Sequence, residues 1–235
     1  MRYVLGLDSA MAGCGAALYD ISNPTGSVGE YMPMHRGQAE ALVPLVQDTV
    51  EKAGIHFSDI DLIVTTTGPG AFTGLRVGLS AAQSFALALG LPIIGMNCFD
   101  VLSAQFFKDN ELKADEKLLV LIESKRDDFF CQFFDKGGNA VELPDSLSFE
   151  VIQNKLSEGA FVCIGDAVPR FETELGVTTS NIRINNYYNF PDMQMLCELG
   201  HKIFMEQDAL ENVGPLYLRG ADVSKPKNAL RKIGF

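Results

Sequence analysis

The strongest candidate for anion binding is a glycine-rich segment from Thr65 to Gly78, which contains Gly68-Pro69-Gly70 and Thr73-Gly74. It lies between a predicted buried strand and a predicted helix, where free backbone N–H groups at the helix start can hold an anion. It is not a P-loop, because the lysine of G-x-x-x-x-G-K-[ST] is missing, and it also departs from G-x-G-x-x-G. A tight strand-to-helix connection would use the same residues, so both interpretations stay open.

Acidic residues end two of the predicted strands. Asp8, followed by Ser9 and Gly13, suits a magnesium-bound water and a phosphate, although Asp and Ser also stabilise ordinary turns. The turn after Glu123 has no glycine that would let N–H groups approach a phosphate. Gly165 is a single glycine at the place where the actin-like superfamily, which the order of elements below suggests, would have two. We interpret these five residues as a degenerate nucleotide cleft.

Composition and charge exclude several classes of protein. The 235 residues carry 19 Lys+Arg and 30 Asp+Glu, a net charge of −11, so independent high-affinity binding to nucleic acid is not expected. The three histidines form no zinc-binding pattern and the five cysteines form no C-x-x-C pair. No apolar run is long enough to span a bilayer. We therefore predict a cytoplasmic protein with no metal and no cofactor.

The helix predicted over residues 73–89 is apolar almost all round. Its polar stripe consists of Arg76, Ser80, Gln83 and Ser84. Such a helix must be covered on more than its sheet-facing side. A neighbouring helix predicted over 38–53, which Pro44 should kink, covers part of it. The rest is buried either within the chain or against a second protein.

The predicted elements follow the same order in both halves of the chain. The first half has strands at 3–7, 13–19, 27–34, 60–66 and 92–96, and helices at 38–53, 73–89 and 99–107. The second has strands at 118–123, 129–134, 140–143, 160–164 and 182–184, and helices at 147–156, 168–175 and 193–205.

This order predicts an α/β fold of two βββαβα lobes with mixed sheets, similar to the actin-like superfamily of sugar kinases and Hsp70 ATPases. A single doubly wound sheet is the alternative. We assign residues 1–103 to a first lobe with partner-binding helices and 104–211 to a second lobe. Residues 212–235 form a C-terminal segment that returns toward the first lobe and ends in a basic tail.

The segment Gly-Pro-Gly-Ala-Phe-Thr-Gly-Leu-Arg-Val-Gly at 68–78 closely resembles the motif G-P-G-S-F-T-G-L-R-I/V-G of the TsaB (YeaZ) family. Residues 5–9, 36–44 and 215–219 also resemble family segments. There are two departures. Gln38 stands where many members have His, and Glu123-Ser124-Lys125-Arg126 stands where many have D-A-R.

The resemblance implies a non-catalytic scaffold subunit of the complex that forms threonylcarbamoyladenosine beside the anticodon, in tRNAs that read codons beginning with A. The implied partners are a TsaD-like transferase and a TsaE-like ATPase, with tRNA contacted only through the complex. The same first-lobe helices could also form a homodimer. The expected partner interface consists of Gln38, Leu42, Pro44, Gly68, Pro69, Gly70, Phe72, Thr73, Gly74, Arg76, Leu79, Ala82 and Gln83.

Two other functions and one tail segment stay open. A small-molecule kinase or ATPase of the same superfamily would bind ATP and magnesium at Asp8, and a metallopeptidase would need a bound metal. The basic tail at 224–232 is either a solvated end or a contact for phosphate or RNA.

Overall fold

Each half of the chain forms its own five-stranded mixed sheet. The structure is a computed structural model that describes residues 1–176, 180–206 and 212–219. The order is β3-β2-β1-β4-β5 in the first sheet, and the second sheet repeats it as β8-β7-β6-β9-β10. In each sheet an antiparallel meander precedes two parallel strands. The predicted fold class of two α/β lobes is therefore confirmed.

The first lobe follows the predicted order closely. Its strands are β1 (Tyr3–Asp8), β2 (Gly13–Asp20), β3 (Val28–Pro33), β4 (Ile60–Thr66) and β5 (Ile93–Met96). Its helices α1 (Gln38–Lys52) and α2 (Phe72–Leu89) pack on one face of the sheet, where their apolar stripes meet Leu5 and Leu7 of β1. Short 3-10 helices occur at Pro24–Gly26 and Phe57–Asp59.

The second lobe begins after α3 (Cys98–Asp109), which connects the two sheets. Its elements are β6 (Glu116–Glu123), β7 (Asp128–Phe134), β8 (Asp145–Ser148), α4 (Phe149–Leu156), β9 (Ala160–Ile164), α5 (Val168–Leu175), β10 (Ile182–Ile184) and α6 (Met193–Glu206). No helix among the described residues is long and apolar enough to cross a membrane.

The strand predicted at 140–143 is wrong, because β8 occupies Asp145–Ser148. After the turn that follows β7, Ala140 makes a single bridge to Phe134. Pro144 has no N–H group to donate to a ladder, and continuous pairing with β7 resumes beyond it. Because β8 is short, polar and at the sheet edge, it has no alternating apolar pattern from which to predict it.

The two lobes share packing that the predicted boundaries divide. The sequence analysis placed α6 in the second lobe, yet its side chains pack on the face of the first sheet opposite α1 and α2, against Val4, Ala17 and Val64. The described part of the C-terminal segment, residues 212–219, also lies on the first lobe. Its Leu216 N–H group donates to the Thr67 carbonyl at 2.7 Å.

Candidate functional site

The turn that follows β1 is closed by the chain itself. Asp8 and Ser9 are fully buried. The Asp8 carboxylate accepts hydrogen bonds from the Thr66 hydroxyl and from the Ala10 N–H group at 3.0 Å. The Ser9 hydroxyl donates to the Gly74 carbonyl at 2.7 Å. The two side chains predicted to hold a magnesium-bound water and a phosphate are thus engaged within the protein.

Burial shifts the pKa of Asp8. Because the carboxyl is removed from water, its pKa is raised above the ordinary value, and the hydrogen bonds from Thr66 and Ala10 oppose this only in part. The carboxyl is also fully buried, so a hydrated magnesium ion cannot reach it in this conformation. The residues at this turn therefore do not fit a magnesium nucleotide.

The glycines of the 68–78 segment allow α2 to cover this turn. A Cβ atom at Gly74 would lie 2.2 Å from the Ser9 carbonyl oxygen, and one at Gly70 would lie 2.0 Å from the Ala10 carbonyl oxygen. A Cβ atom at Gly78 would lie 2.8 Å from the Ser9 hydroxyl oxygen. The spacing of four residues places these glycines on one side of the segment. The motif therefore lets the start of α2 and the loop before it contact the turn after β1 closely, and the tight strand-to-helix connection is the interpretation that the structure favours.

In the second lobe, the matching turn is held by an arginine that the sequence analysis did not single out. Arg170 of α5 forms an ion pair with Glu123 at 2.8 Å and donates to the Asp128 carbonyl at 2.8 Å. Its guanidinium group also lies 3.6 Å from the centre of the Phe129 ring. Glu123, predicted as a cleft acid, is thus neutralised within its own lobe.

Neighbouring groups also occupy the space beside the other two predicted cleft glycines, Gly165 and Gly13. A Cβ atom at Gly165 would lie 1.9 Å from the Leu121 carbonyl oxygen. At Gly13, the Tyr31 ring occupies the same space at 2.4 Å. Asp166 follows Gly165, and burial raises the pKa of its carboxyl to about 7, although its Oδ1 accepts a hydrogen bond from the Glu123 N–H group at 2.9 Å.

An apolar core joins the two lobes. Met11 of the first lobe is 2% exposed and Phe130 of the second is 9% exposed. Both belong to one cluster that joins the lobes, together with Leu75, Leu79, Phe99, Leu102, Phe106, Leu118, Val120, Ile122, Phe134, Val162 and Ile164. The lobes therefore meet at a hydrophobic junction.

The expected partner interface divides into buried and accessible residues. Six of the residues are buried within the chain in this conformation: Leu42, Gly68, Pro69, Gly74, Leu79 and Ala82. They belong to the contacts of α1 and α2 with their own sheet and with the lobe junction. The accessible members are Gln38, Pro44, Gly70, Phe72, Thr73, Arg76 and Gln83.

The C-terminal segment fixes several of the accessible α2 residues. Gln83 donates to the Val213 carbonyl at 3.0 Å, and Arg76 donates to the Tyr217 hydroxyl at 3.1 Å. The Arg76 guanidinium lies 3.6 Å from the centre of the Phe72 ring, which stacks on Tyr217. Residues 215–219, with the sequence Pro-Leu-Tyr-Leu-Arg, therefore hold the C-terminal segment against α2. The basic tail at 224–232 lies outside the described residues.

Curated relatives match almost the whole chain. The tRNA threonylcarbamoyladenosine biosynthesis protein TsaB of Escherichia coli (strain K12) is 24% identical over 92% of this chain and 94% of its own length. The protein of the same name from Buchnera aphidicola subsp. Baizongia pistaciae is 24% identical over 93% of this chain and 98% of its own length. Over almost its whole length, the chain is therefore similar to proteins named TsaB.

Two further comparisons show a shared fold and a second sequence similarity. The crystal structure of YeaZ from Pseudomonas aeruginosa superposes with a TM-score of 0.73 at 20% identity, covering 93% of this chain and all of the other, so the fold is shared. A sequence model of TsaD, tRNA N6-adenosine threonylcarbamoyltransferase, matches residues 33–149. One such transferase, from Erythrobacter litoralis, is 32% identical over 52% of this chain and 40% of its own length.

Proposed function

We propose that this chain is a non-catalytic subunit of the machinery that forms threonylcarbamoyladenosine in tRNA, and that it supports a TsaD-like transferase by binding it. The observation that carries the proposal is that the predicted cleft residues make their contacts within the chain. Asp8 and Ser9 are buried against α2, Arg170 neutralises Glu123, and apolar side chains join the lobes. A family member with this geometry contributes through its surface, not through phosphoryl chemistry.

The surface that we assign to the transferase is the outward side of α1 and α2, which we call the α1–α2 face. It presents Val43, Pro44, Ser80 and Leu87. Val43 is 41% exposed and Leu87 is 86% exposed, and both are large apolar side chains. Exposed apolar residues on two neighbouring helices are typical of a protein-binding surface.

The similarity to transferases supports this choice of face. The TsaD model covers residues 33–149, which include both helices of the α1–α2 face. Two related lobes can pair through equivalent surfaces, as the two copies in a symmetric dimer do. The same argument allows a homodimer of this chain through the α1–α2 face, which the transferase would displace.

A reconstituted reaction tests the proposal. Each reaction contains unmodified tRNA, threonylcarbamoyl-adenylate and the TsaD-like transferase of the same organism. The first reaction adds the wild-type chain, the second adds the Asp8→Asn variant, and the third adds neither. Asparagine can still accept the hydrogen bonds from Thr66 and Ala10, so this variant should fold. We expect modification to require the chain and Asp8→Asn to support it as well as wild type does.

Two results would contradict the proposal. One is equal modification with and without the chain. The other is loss of activity in a folded Asp8→Asn variant together with micromolar binding of magnesium ATP to the isolated wild-type chain, which would favour the kinase or ATPase alternative. Calorimetry on the isolated chain measures that binding directly.

A further inference from the structure

A groove of about 960 Å³ collects positive charge in this otherwise acidic protein. It lies between the starts of α1 and α2, the β6–β7 turn and the described end of the C-terminal segment. Glu40 is the one acidic residue among the described residues that line it. Its cationic lining consists of Arg36, Arg76, Lys125, Arg126 and Arg219, five of the 19 Lys+Arg of a chain whose net charge is −11.

Part of this charge is not neutralised within the protein. Arg36 and Lys125 are exposed and form no ion pair within the described ranges. Arg219 pairs with Asp128, whereas Arg76 contacts a hydroxyl and an aromatic ring, neither of which carries a negative charge. The groove therefore retains a net positive field that an anionic ligand would satisfy.

Both helices that begin at the groove reinforce this field. Gly37 and Ala71 precede α1 and α2, and neither helix start has a side-chain cap. The first residues of each helix line the groove, so their free N–H groups add partial positive charge to its wall.

Two exposed aromatic rings lie beside the cations. Phe72 is 50% exposed and Tyr217 is 45% exposed, and their stacked rings are 5.7 Å apart between centres. Proteins that bind single-stranded nucleic acid combine exposed aromatic rings with a basic groove, because bases stack on the rings while cations hold the phosphates.

We propose that this groove binds the phosphate backbone of an RNA strand, with a base stacked on the Phe72–Tyr217 pair. The family resemblance implies tRNA contact only through the complex, whereas the groove would give this chain a direct contact. That the RNA is tRNA rests on the proposed function; RNA binding itself does not.

Fluorescence anisotropy with a labelled 15-nucleotide single-stranded RNA and the full chain tests the proposal. Because the protein is acidic overall, we expect a dissociation constant of about 10 to 100 µM at about 50 mM salt, rising steeply with salt. The double variant Arg36→Glu/Lys125→Glu should bind about tenfold more weakly, with a salt slope smaller by about 1.4 for the two lost phosphate contacts.

A matched control separates the groove from general charge. Lys117→Glu/Lys202→Glu reverses two exposed cations outside the groove and gives the same net charge. We expect it to weaken RNA binding much less. Equal weakening by both variants, or no RNA binding by wild type at low salt, would overturn the proposal. Two competitors would also overturn it. Displacement of RNA by ADP at equal phosphate concentration would favour a mononucleotide as the ligand. Displacement by poly-glutamate at an equal concentration of charged groups would favour an acidic protein segment.

The same variants distinguish this proposal from the proposed function. Circular dichroism verifies their fold, and titration with the TsaD-like transferase follows. We expect Arg36→Glu/Lys125→Glu to retain transferase binding while it loses RNA. If the wild-type chain binds RNA through the groove but does not bind the transferase, the proposed function is wrong and the RNA-binding proposal is supported. If it binds the transferase but not RNA, only the RNA-binding proposal is wrong.

Discussion

At the scale of single residues, Gly74 shows why the 68–78 segment needs glycine. Alanine would place its Cβ atom 2.2 Å from the Ser9 carbonyl oxygen, which belongs to a buried backbone and cannot move aside easily. Alanine otherwise favours a helix over glycine by about 1 kcal/mol. A loss of stability would therefore come from the contact itself.

We predict that Gly74→Ala lowers the free energy of unfolding by about 1 to 3 kcal/mol, the usual cost of overpacking a core. Urea denaturation measures this. Gly214→Ala is the matched control, because nothing lies within 4 Å of its added Cβ atom. Similar unfolding free energies for the two variants would contradict the close contact between α2 and the turn after β1.

Asp166 makes stability depend on pH. Its folded-state pKa is about 7, above the ordinary value of about 3.9 in an unfolded chain. Between these values the folded state holds a proton that the unfolded state has lost, so this residue stabilises the fold less as pH rises toward 7. The full effect is on the order of 1 to 4 kcal/mol.

We predict that Asp166→Asn gains stability relative to wild type as pH rises from about 5 to about 8. The amide oxygen can still accept the hydrogen bond from Glu123, and other titrating groups, including Asp8, cancel in the difference. Urea denaturation of both proteins across this range measures it. A difference that stays constant or shrinks with rising pH would show that Asp166 is not held neutral by burial.

At the scale of elements, Arg170 joins α5 to the β6–β7 turn. It contacts Glu123, the Asp128 carbonyl and the Phe129 ring together. Lysine keeps the charge but cannot present a planar group to all three.

We therefore predict that Arg170→Lys costs about 1 to 2 kcal/mol of unfolding free energy. Arg183→Lys is the control, because Arg183 forms a single partly exposed ion pair with Glu116 and should lose less than about 0.5 kcal/mol. Equal losses in urea denaturation would mean that Arg170 is an ordinary surface cation.

Sequence patterns predicted most of the elements because strands such as β1 and helices such as α1 bury regular apolar stripes. They missed β8, whose polar edge residues carry no such stripe. They also assigned Leu79 and Ala82 to a partner, since an apolar helix face looks the same whether it packs on its own chain or on another. The groove was not predicted, because Arg36, Lys125 and Arg219 are far apart in the sequence and meet only in the fold.

At the scale of the whole molecule, the two lobes are joined through an apolar core instead of closing on a nucleotide. The basic groove lies between the lobes, since it is lined by the first turns of α1 and α2 and by the β6–β7 turn. The α1–α2 face begins at the same helix starts, so a protein partner and an RNA strand would be held next to each other.

The most direct test of the α1–α2 face as the transferase-binding surface is the affinity of the TsaD-like transferase for two variants of this chain. Val43→Arg lies on the α1–α2 face, whereas Val151→Arg lies on α4 of the second lobe. The two valines are 41% and 43% exposed, so both variants should fold equally well. Calorimetry should show that Val43→Arg weakens binding at least about tenfold, since an unpaired charge is buried in the interface, while Val151→Arg matches wild type. Unchanged affinity for a folded Val43→Arg variant, or equal weakening by both, would contradict the α1–α2 face as the transferase-binding surface.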